Sequence, residues 1–265
     1  MIRKNNPQEL RLSPTETDQW QKNGYFIRHD QFAAQEIAEF QRAAKQATIH
    51  AQQAKSGGKT YFLDHKRFVD TQSATLQYEH YADAQELRVL EPVHHFQQTL
   101  EALVDDPRLV SPMQGLIGQQ KLALWTTKLN LKPAGGSGFG WHQDSPYWMH
   151  NCEHVDRLPN VMITLDPQHE TNGCLRIISG SHKRGILPGT NDGTSLGGFF
   201  TNPANFDLDE QRAMVVDSGA CIFFSPHAVH GSDANPSAQS RRALIFTYQP
   251  GNHPMLKNGQ IRNVN

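Results

Sequence analysis

A β-sandwich or barrel with helices packed on one side is the architecture this sequence predicts. From about residue 120 the segments become short and alternating, rich in Val, Ile, Leu and aromatics and punctuated by Gly, Pro and Asn. Before that point the apolar residues recur at helical spacing instead. With 265 residues, 37% of them hydrophobic, the chain can bury a substantial core. We therefore read 1–265 as one domain: a mostly helical N-terminal part with substrate-side loops over 1–118, and a β core over 119–250.

The elements follow in order. In SPTETDQWQKNG (13–24), Ser13 is a cap, Pro14 takes the first helical position, Glu16 stands three after the cap, and Gly24 ends the helix. YFIRHDQF then reads as a short strand. In AAQEIAEFQRAAKQATIHAQQAK, Ile37, Phe40, Ala44 and Ala47 share one face, which predicts a second helix. After a polar SGGK loop, TYFLDHKRFVD is compatible with helix or strand. Val93, Phe96, Leu100 and Leu103 mark the buried stripe of a helix over 92–105, and DDPRLVSPMQGLIG continues as another short helix. The predicted strands are LALWTTKLNLK, NVMITLD, CLRIIS, AMVVDSG, ACIFFS and RRALIFTYQ, with ETNG as a tight turn ahead of CLRIIS.

Twenty-five basic against 26 acidic residues leave a net charge of −1, so no global field favours nucleic acid or an anionic membrane. Cys152, Cys174 and Cys221 are odd in number and form no CxxC pair, which suits a reducing cytoplasm better than a disulfide scaffold or a cysteine zinc site. MIRKNNPQEL shows no apolar leader, and no later run approaches a membrane span. A cytoplasmic protein with a small-molecule substrate, and without nucleic-acid or membrane partners, is expected.

Fourteen histidines are the compositional oddity. In FGWHQDSPYW, His142 and Asp144 stand two apart; residues i and i+2 of a strand share a face, so both can reach one ion. Two imidazoles and a carboxylate on one face of an octahedral ion leave its other positions open, which marks non-haem Fe(II) oxygenases. The pair alone has low specificity, because a polar surface turn after Gly-Ser-Gly looks the same. The third leg is sought at the end of ACIFFS, where His227 and His230 are both candidates. Past His230, a DANPS turn leads to Arg241 and Arg242, so a returning strand could hold a guanidinium beside the metal, paired bidentately with a dicarboxylate.

WHQD together with HGSxxNxSxxxRRA resembles the phytanoyl-CoA dioxygenase family of Fe(II)/2-oxoglutarate oxygenases. DQWQKNGYFIRHDQF is similar to that family's opening, and LDPQHETNGCLRIISGSHKRG to its middle segment. The resemblance spans about 13–250 and leaves 50–90 and 185–210 unmatched. It implies a double-stranded β-helix, a cupin-like jelly roll. It also implies His142, Asp144 and His230 as Fe(II) ligands, Arg241 for the distal carboxylate of 2-oxoglutarate, Ser232 as an assisting hydroxyl, and Asn130 in KLNLK as a further cosubstrate contact. The reaction implied uses O2 to hydroxylate an unactivated C–H bond of a small metabolite, in secondary or specialised metabolism, with release of succinate and CO2. Related halogenases carry a small residue where Asp144 stands, so its carboxylate favours hydroxylation. A non-catalytic or zinc-dependent metal-binding jelly roll would use the same ligands but needs no arginine to anchor a dicarboxylate.

In this frame His227 reads as structural. Arg242 alternates away from Arg241 and reads as a surface charge; His94 and His95 read as surface residues; His150, His154 and His182 as non-ligands. Tyr147 or Trp148 is expected on the substrate side. Segments 50–90 and 185–210 are expected to form lid and entrance. Their Lys59, Tyr61, Phe62, Lys66, Arg67, Phe199 and Phe200 suit a small polar or anionic metabolite, and no basic patch offers itself to a CoA tail.

Overall fold

The structure, a computed structural model, describes residues 7–81 and 83–265. Helices α1 (Pro7–Leu10) and α2 (Pro14–Asn23) lead into strand β1 (Tyr25–Arg28). Helix α3 (Ala34–Gln53) is followed by β2 (Lys59–Leu63), β3 (Lys66–Asp70), β4 (Thr75–Tyr78) and β5 (Leu87–Glu91). Helices α4 (Gln98–Leu103) and α5 (Pro107–Ile117) precede β6 (Leu122–Lys132) and β7 (Phe139–His142), and then the one-turn α6 (Ser145–Trp148). Strands β8 (Asn160–Thr164), β9 (Arg176–Ile178), β10 (Gln211–Ala213), β11 (Cys221–Phe224), β12 (His230–Ser232) and β13 (Arg241–Pro250) complete the fold.

The strands pair antiparallel into two sheets. Nine run in the order β1-β11-β8-β13-β6-β5-β4-β3-β2, and four in the order β10-β9-β12-β7. Alternation along each strand decides what lies on either side of the large sheet. Leu244 and Phe246 of β13, Val161 and Ile163 of β8, and Phe223 of β11 join a core with Ala44 and Ala47 of α3, Leu100 of α4 and Met113 of α5. The intervening Ile245, Met162, Ile222 and Phe224 face the small sheet and pack with Leu175 and Ile177. Helices therefore cover one face of the large sheet, and the small sheet covers the other. This is the jelly roll the sequence implies.

Helix α2 forms as its capping residues dictate. Ser13 Oγ accepts from Glu16 N–H at 3.2 Å, Glu16 Oε2 accepts from Ser13 N–H at 2.8 Å, and Gly24 takes φ 83°. Ser13→Ala should lower stability by about 1 kcal/mol; an unchanged urea midpoint would show that the cap contributes nothing.

The N-terminal part departs from expectation. Five of the thirteen strands precede residue 92, so the helices of 1–118 share that part of the chain with a run of strands. TYFLDHKRFVD is a hairpin, its two turn residues Asp64 (φ 48°) and His65 (φ 64°) both left-handed, as a two-residue primed turn requires. The helix expected over 92–105 breaks at Gln97, whose backbone is extended (φ −147°, ψ 133°), although Val93, Leu100 and Leu103 are buried as predicted. His94, read as a surface residue, is buried by the 3-10 turn before that break, its Nδ1 2.9 Å from Thr127 Oγ1; His95 is exposed. AMVVDSG contributes only Ala213 to a strand. The sequence read as lacking an apolar leader lies partly outside the described residues, at 1–6. No helix among the described residues is long and apolar enough to cross a membrane.

Candidate metal centre and cosubstrate pocket

Strand β12 lies between β9 and β7, and the β7–β12 register sets His230 directly opposite His142. Their rings are 4.2 Å apart, centroid to centroid. Asp144 arrives by a different route from the one predicted. Strand β7 ends at His142, and Asp144 has helical backbone angles (φ −76°, ψ −32°) at the start of α6. The N–H groups of Asp144 and Ser145 both donate to the Pro226 carbonyl at 3.1 Å, which folds the chain back so that the carboxylate meets the histidines. Pleat alternation does not place it; a turn pinned to the β11–β12 connection does. One candidate donor atom from each of His142, Asp144 and His230 lies within 4.8 Å of the others.

The surroundings set these groups up as donors. His142 Nδ1 is 2.7 Å from Gly140 O, and His230 Nδ1 is 3.0 Å from Ala228 O. A carbonyl only accepts, so each Nδ1 carries a proton and each Nε2 is the nitrogen turned toward the other donors. His230 Nε2 is 3.9 Å from Asp144 Oδ2. Burial, then the neighbouring His230, pulls the His142 pKa down to about 3, leaving the ring neutral. Burial alone would raise the Asp144 pKa, but Lys128 and the two imidazoles more than offset it, so the carboxyl stays ionised. Lys128 Nζ is 3.5 Å from Asp144 Oδ1, and Asn160 Nδ2 donates to Oδ2 at 2.8 Å. Two imidazoles and an oriented carboxylate converging on one point fit a divalent iron.

Beside this cluster, and lining the same cavity of about 590 Å³, stand Arg241, Ser232 and Asn130. Arg241 is 4% exposed; one Nη2 proton goes to Gly173 O at 2.8 Å, and its Nε has no partner. A buried guanidinium with an unsatisfied donor is costly unless a ligand completes it. Burial lowers its pKa to about 10, which leaves it charged at neutral pH. A dicarboxylate fits this end of the cavity by charge and by hydrogen bonding. Ser232 Oγ is already held at 2.6 Å by Lys132 Nζ, which also reaches Gly173 O and Asp233 O. Burial, then Arg241 and Arg88, draws the Lys132 pKa down to about 7.

The other predicted residues divide. His227 is structural, its Nδ1 2.9 Å from Ser145 Oγ and its Nε2 2.7 Å from Asp156 Oδ1. Arg242 does face away from Arg241, but it is no free surface charge: Asp166 clamps it through two 2.8 Å hydrogen bonds, because β13 runs beside the end of β8. Tyr147 lines the cavity and stacks on Phe199 at 4.6 Å, whereas Trp148 is core. Lys66, Phe199 and Phe200 also line the cavity; Phe62 is 63% exposed and away from it. Lys128, Lys132 and Asn160 escaped the sequence reading. A signal existed: Lys128, Asn130 and Lys132 recur at period two in an otherwise apolar strand, as in a strand that lines a polar cavity.

A jelly roll whose His-x-Asp and distant His converge on one cavity with a buried arginine defines a class, the non-haem iron, 2-oxoglutarate-dependent dioxygenases. A model of the phytanoyl-CoA dioxygenase (PhyH) family matches residues 20–243, and the chain belongs to that family. Among curated proteins it is 27% identical over 229 residues to "Probable alpha-ketoglutarate-dependent hypophosphite dioxygenase" of Stutzerimonas stutzeri, covering 85% of this chain and 74% of that relative. It is 33% identical over 135 residues to a 2-aminoethylphosphonate dioxygenase from an uncultured bacterium, covering 50% of this chain and 47% of the relative. The crystal structure of EctD from S. alaskensis in its apoform superposes with a TM-score of 0.68 at 22% identity, covering 94% of this chain and 80% of that one, a likeness of fold.

Proposed function

We propose that His142, Asp144 and His230 hold Fe(II), that Arg241, Ser232 and Asn130 hold 2-oxoglutarate, and that the rest of the cavity receives a small metabolite of secondary or specialised metabolism whose unactivated C–H bond is hydroxylated. The observation that carries this reading is Arg241: a buried guanidinium with a free Nε shares one cavity with three convergent metal donors. Bound Fe(II) with open coordination positions supplies the O2 chemistry, at the expense of 2-oxoglutarate. The chain's own groups do the positioning. Gly140 O and Ala228 O orient the imidazoles, Asn160 and Lys128 hold the carboxylate ionised, and Arg241 fixes the far end of the cosubstrate. Tyr147, Phe199 and Phe200 form an apolar wall that keeps water from the substrate side. Relatives named for proline, ectoine and methylphosphonate support a small polar or anionic substrate. A cytoplasmic setting suits the three free cysteines.

The test is an anaerobic titration of metal-free protein with Fe(II) and then 2-oxoglutarate. A weak visible metal-to-ligand charge-transfer band is expected, absent in His142→Ala. Iron binding without the band would overturn the cosubstrate assignment, and no iron binding would overturn both. Asn160→Ala should weaken Fe(II) affinity about 10- to 100-fold by freeing Asp144 Oδ2; an unchanged titration would show that the Asp144 orientation owes nothing to that hydrogen bond.

A further inference from the structure

Three nitrogen-bearing side chains at one side of the cavity have no part in the metal centre or the cosubstrate site: Lys66 on β3, His80 just past β4, and Arg88 on β5. They lie close enough to interact, since burial, then Arg88 and then Lys66, lowers the His80 pKa to about 4. Arg88 is 2% exposed. Its Nη groups donate to Ser137 O (2.9 Å), Ser137 Oγ (2.7 Å) and Gly138 O (2.6 Å), and its guanidinium lies over the Phe139 ring, 3.6 Å from the centroid. Its Nε and His80 Nε2 are buried and have no hydrogen-bond partner.

Of the acids nearby, Glu79 pairs with Arg88, and the other two are engaged elsewhere. Glu79 Oε2 forms an ion pair with Arg88 Nη1 at 3.9 Å and accepts hydrogen bonds from Ser137 N–H and Oγ, while its Oε1 is buried without a partner. Asp64 accepts from the N–H groups of Ser195 (2.8 Å) and Leu196 (2.7 Å), and Asp192 from Thr194 N–H and Oγ1. None of these three carboxylates lines the cavity. Lys66 Nζ has no carboxylate within ion-pair distance among the described residues and lies 5.1 Å from the centre of the Phe200 ring. Lys66, the free Nε of Arg88 and the unpartnered His80 Nε2 thus border one cavity, and only Arg88 is paired with a carboxylate, so an anion there would complete their bonding.

We propose that the substrate carries an oxyanion headgroup, phosphoryl, phosphonyl or carboxylate, held by Lys66, His80 and Arg88. The Asp64 clamp on the backbone of 195–196 ties the β2–β3 hairpin to the loop that bears Leu196, Phe199 and Phe200, so the headgroup is enclosed by both. This inference rests on the proposed function for its claim that the cavity takes substrate, but its binding step needs neither iron nor turnover.

Metal-free protein titrated calorimetrically with inorganic phosphate, and separately with acetate, tests it. Saturable phosphate binding is expected, weakened about tenfold or more in Lys66→Gln and in His80→Gln, whose melting curves report folding, and unchanged in Arg241→Gln. Tighter phosphate than acetate binding assigns a phosphoryl or phosphonyl headgroup; equal affinities with the same Lys66 dependence assign a carboxylate. No phosphate binding, binding indifferent to Lys66→Gln, or binding lost in Arg241→Gln would overturn the proposal. Phosphate binding that survives in a protein showing no charge-transfer band with Fe(II) and 2-oxoglutarate would sink the cosubstrate reading alone.

Discussion

Asp144→Ala is expected to reduce iron-dependent turnover by at least about 100-fold, since disturbing only an outer partner of a metal ligand already costs 10- to 100-fold. Asp144 supplies the sole negative charge among the three convergent donors, and its removal leaves only two imidazoles to hold a dication. The substitution also leaves Lys128 and Asn160 facing each other across the space the carboxylate filled. Half-buried Lys128 then keeps only Glu91 as a counter-charge. Succinate release under saturating Fe(II), with circular dichroism as a check on folding, measures the effect. Near-full activity in Asp144→Ala, or in His142→Ala, would refute the proposed ligand set.

Arg241→Ala should chiefly raise the KM for 2-oxoglutarate. Truncating one partner of a buried, hydrogen-bonded charge pair costs about 2–5 kcal/mol, a KM increase of about 30-fold or more. Arg241→Lys should recover part of the loss, because an ammonium keeps the charge but not the planar fork. Arg242 cannot substitute, being held by Asp166 on the other face of the strand. An unchanged KM would transfer the anchoring role to Lys132, the next cation at that end of the cavity.

The jelly-roll core was legible because β8, β11 and β13 are covered on both faces and therefore read as nearly continuous apolar runs. Spacing suggested His142 and Asp144, while the choice of His230 over His227 came from the family resemblance of the residues after it. Strands β4 and β5 were not legible: β4 alternates over only four residues, too few to stand out, and β5 buries the charged Arg88 among apolar neighbours, so it carries no alternation. The Asp64–His65 turn hid as well, since neither residue is the glycine that usually reports a left-handed pair. The route of Asp144 depends on the Pro226 carbonyl, more than 80 residues away in sequence, which no local pattern encodes.

The enlarged sheet divides labour along the chain. The proposed ligands and cosubstrate contacts all fall between Asn130 and Arg241, on strands of the jelly roll or the turn after β7, whereas the proposed headgroup contacts fall between Lys66 and Arg88, on β3, β5 and the connection after β4, beyond β6 in the sheet. Mutational drift at Lys66, His80 and Arg88 can therefore retune what enters, provided Glu91, whose charge acts on Lys128, is kept. An exchange of 59–91 between homologues is the natural unit of recombination for moving selectivity onto an unchanged catalytic chassis, and the tie from Asp64 to 195–196 marks the lid segment that must travel with it.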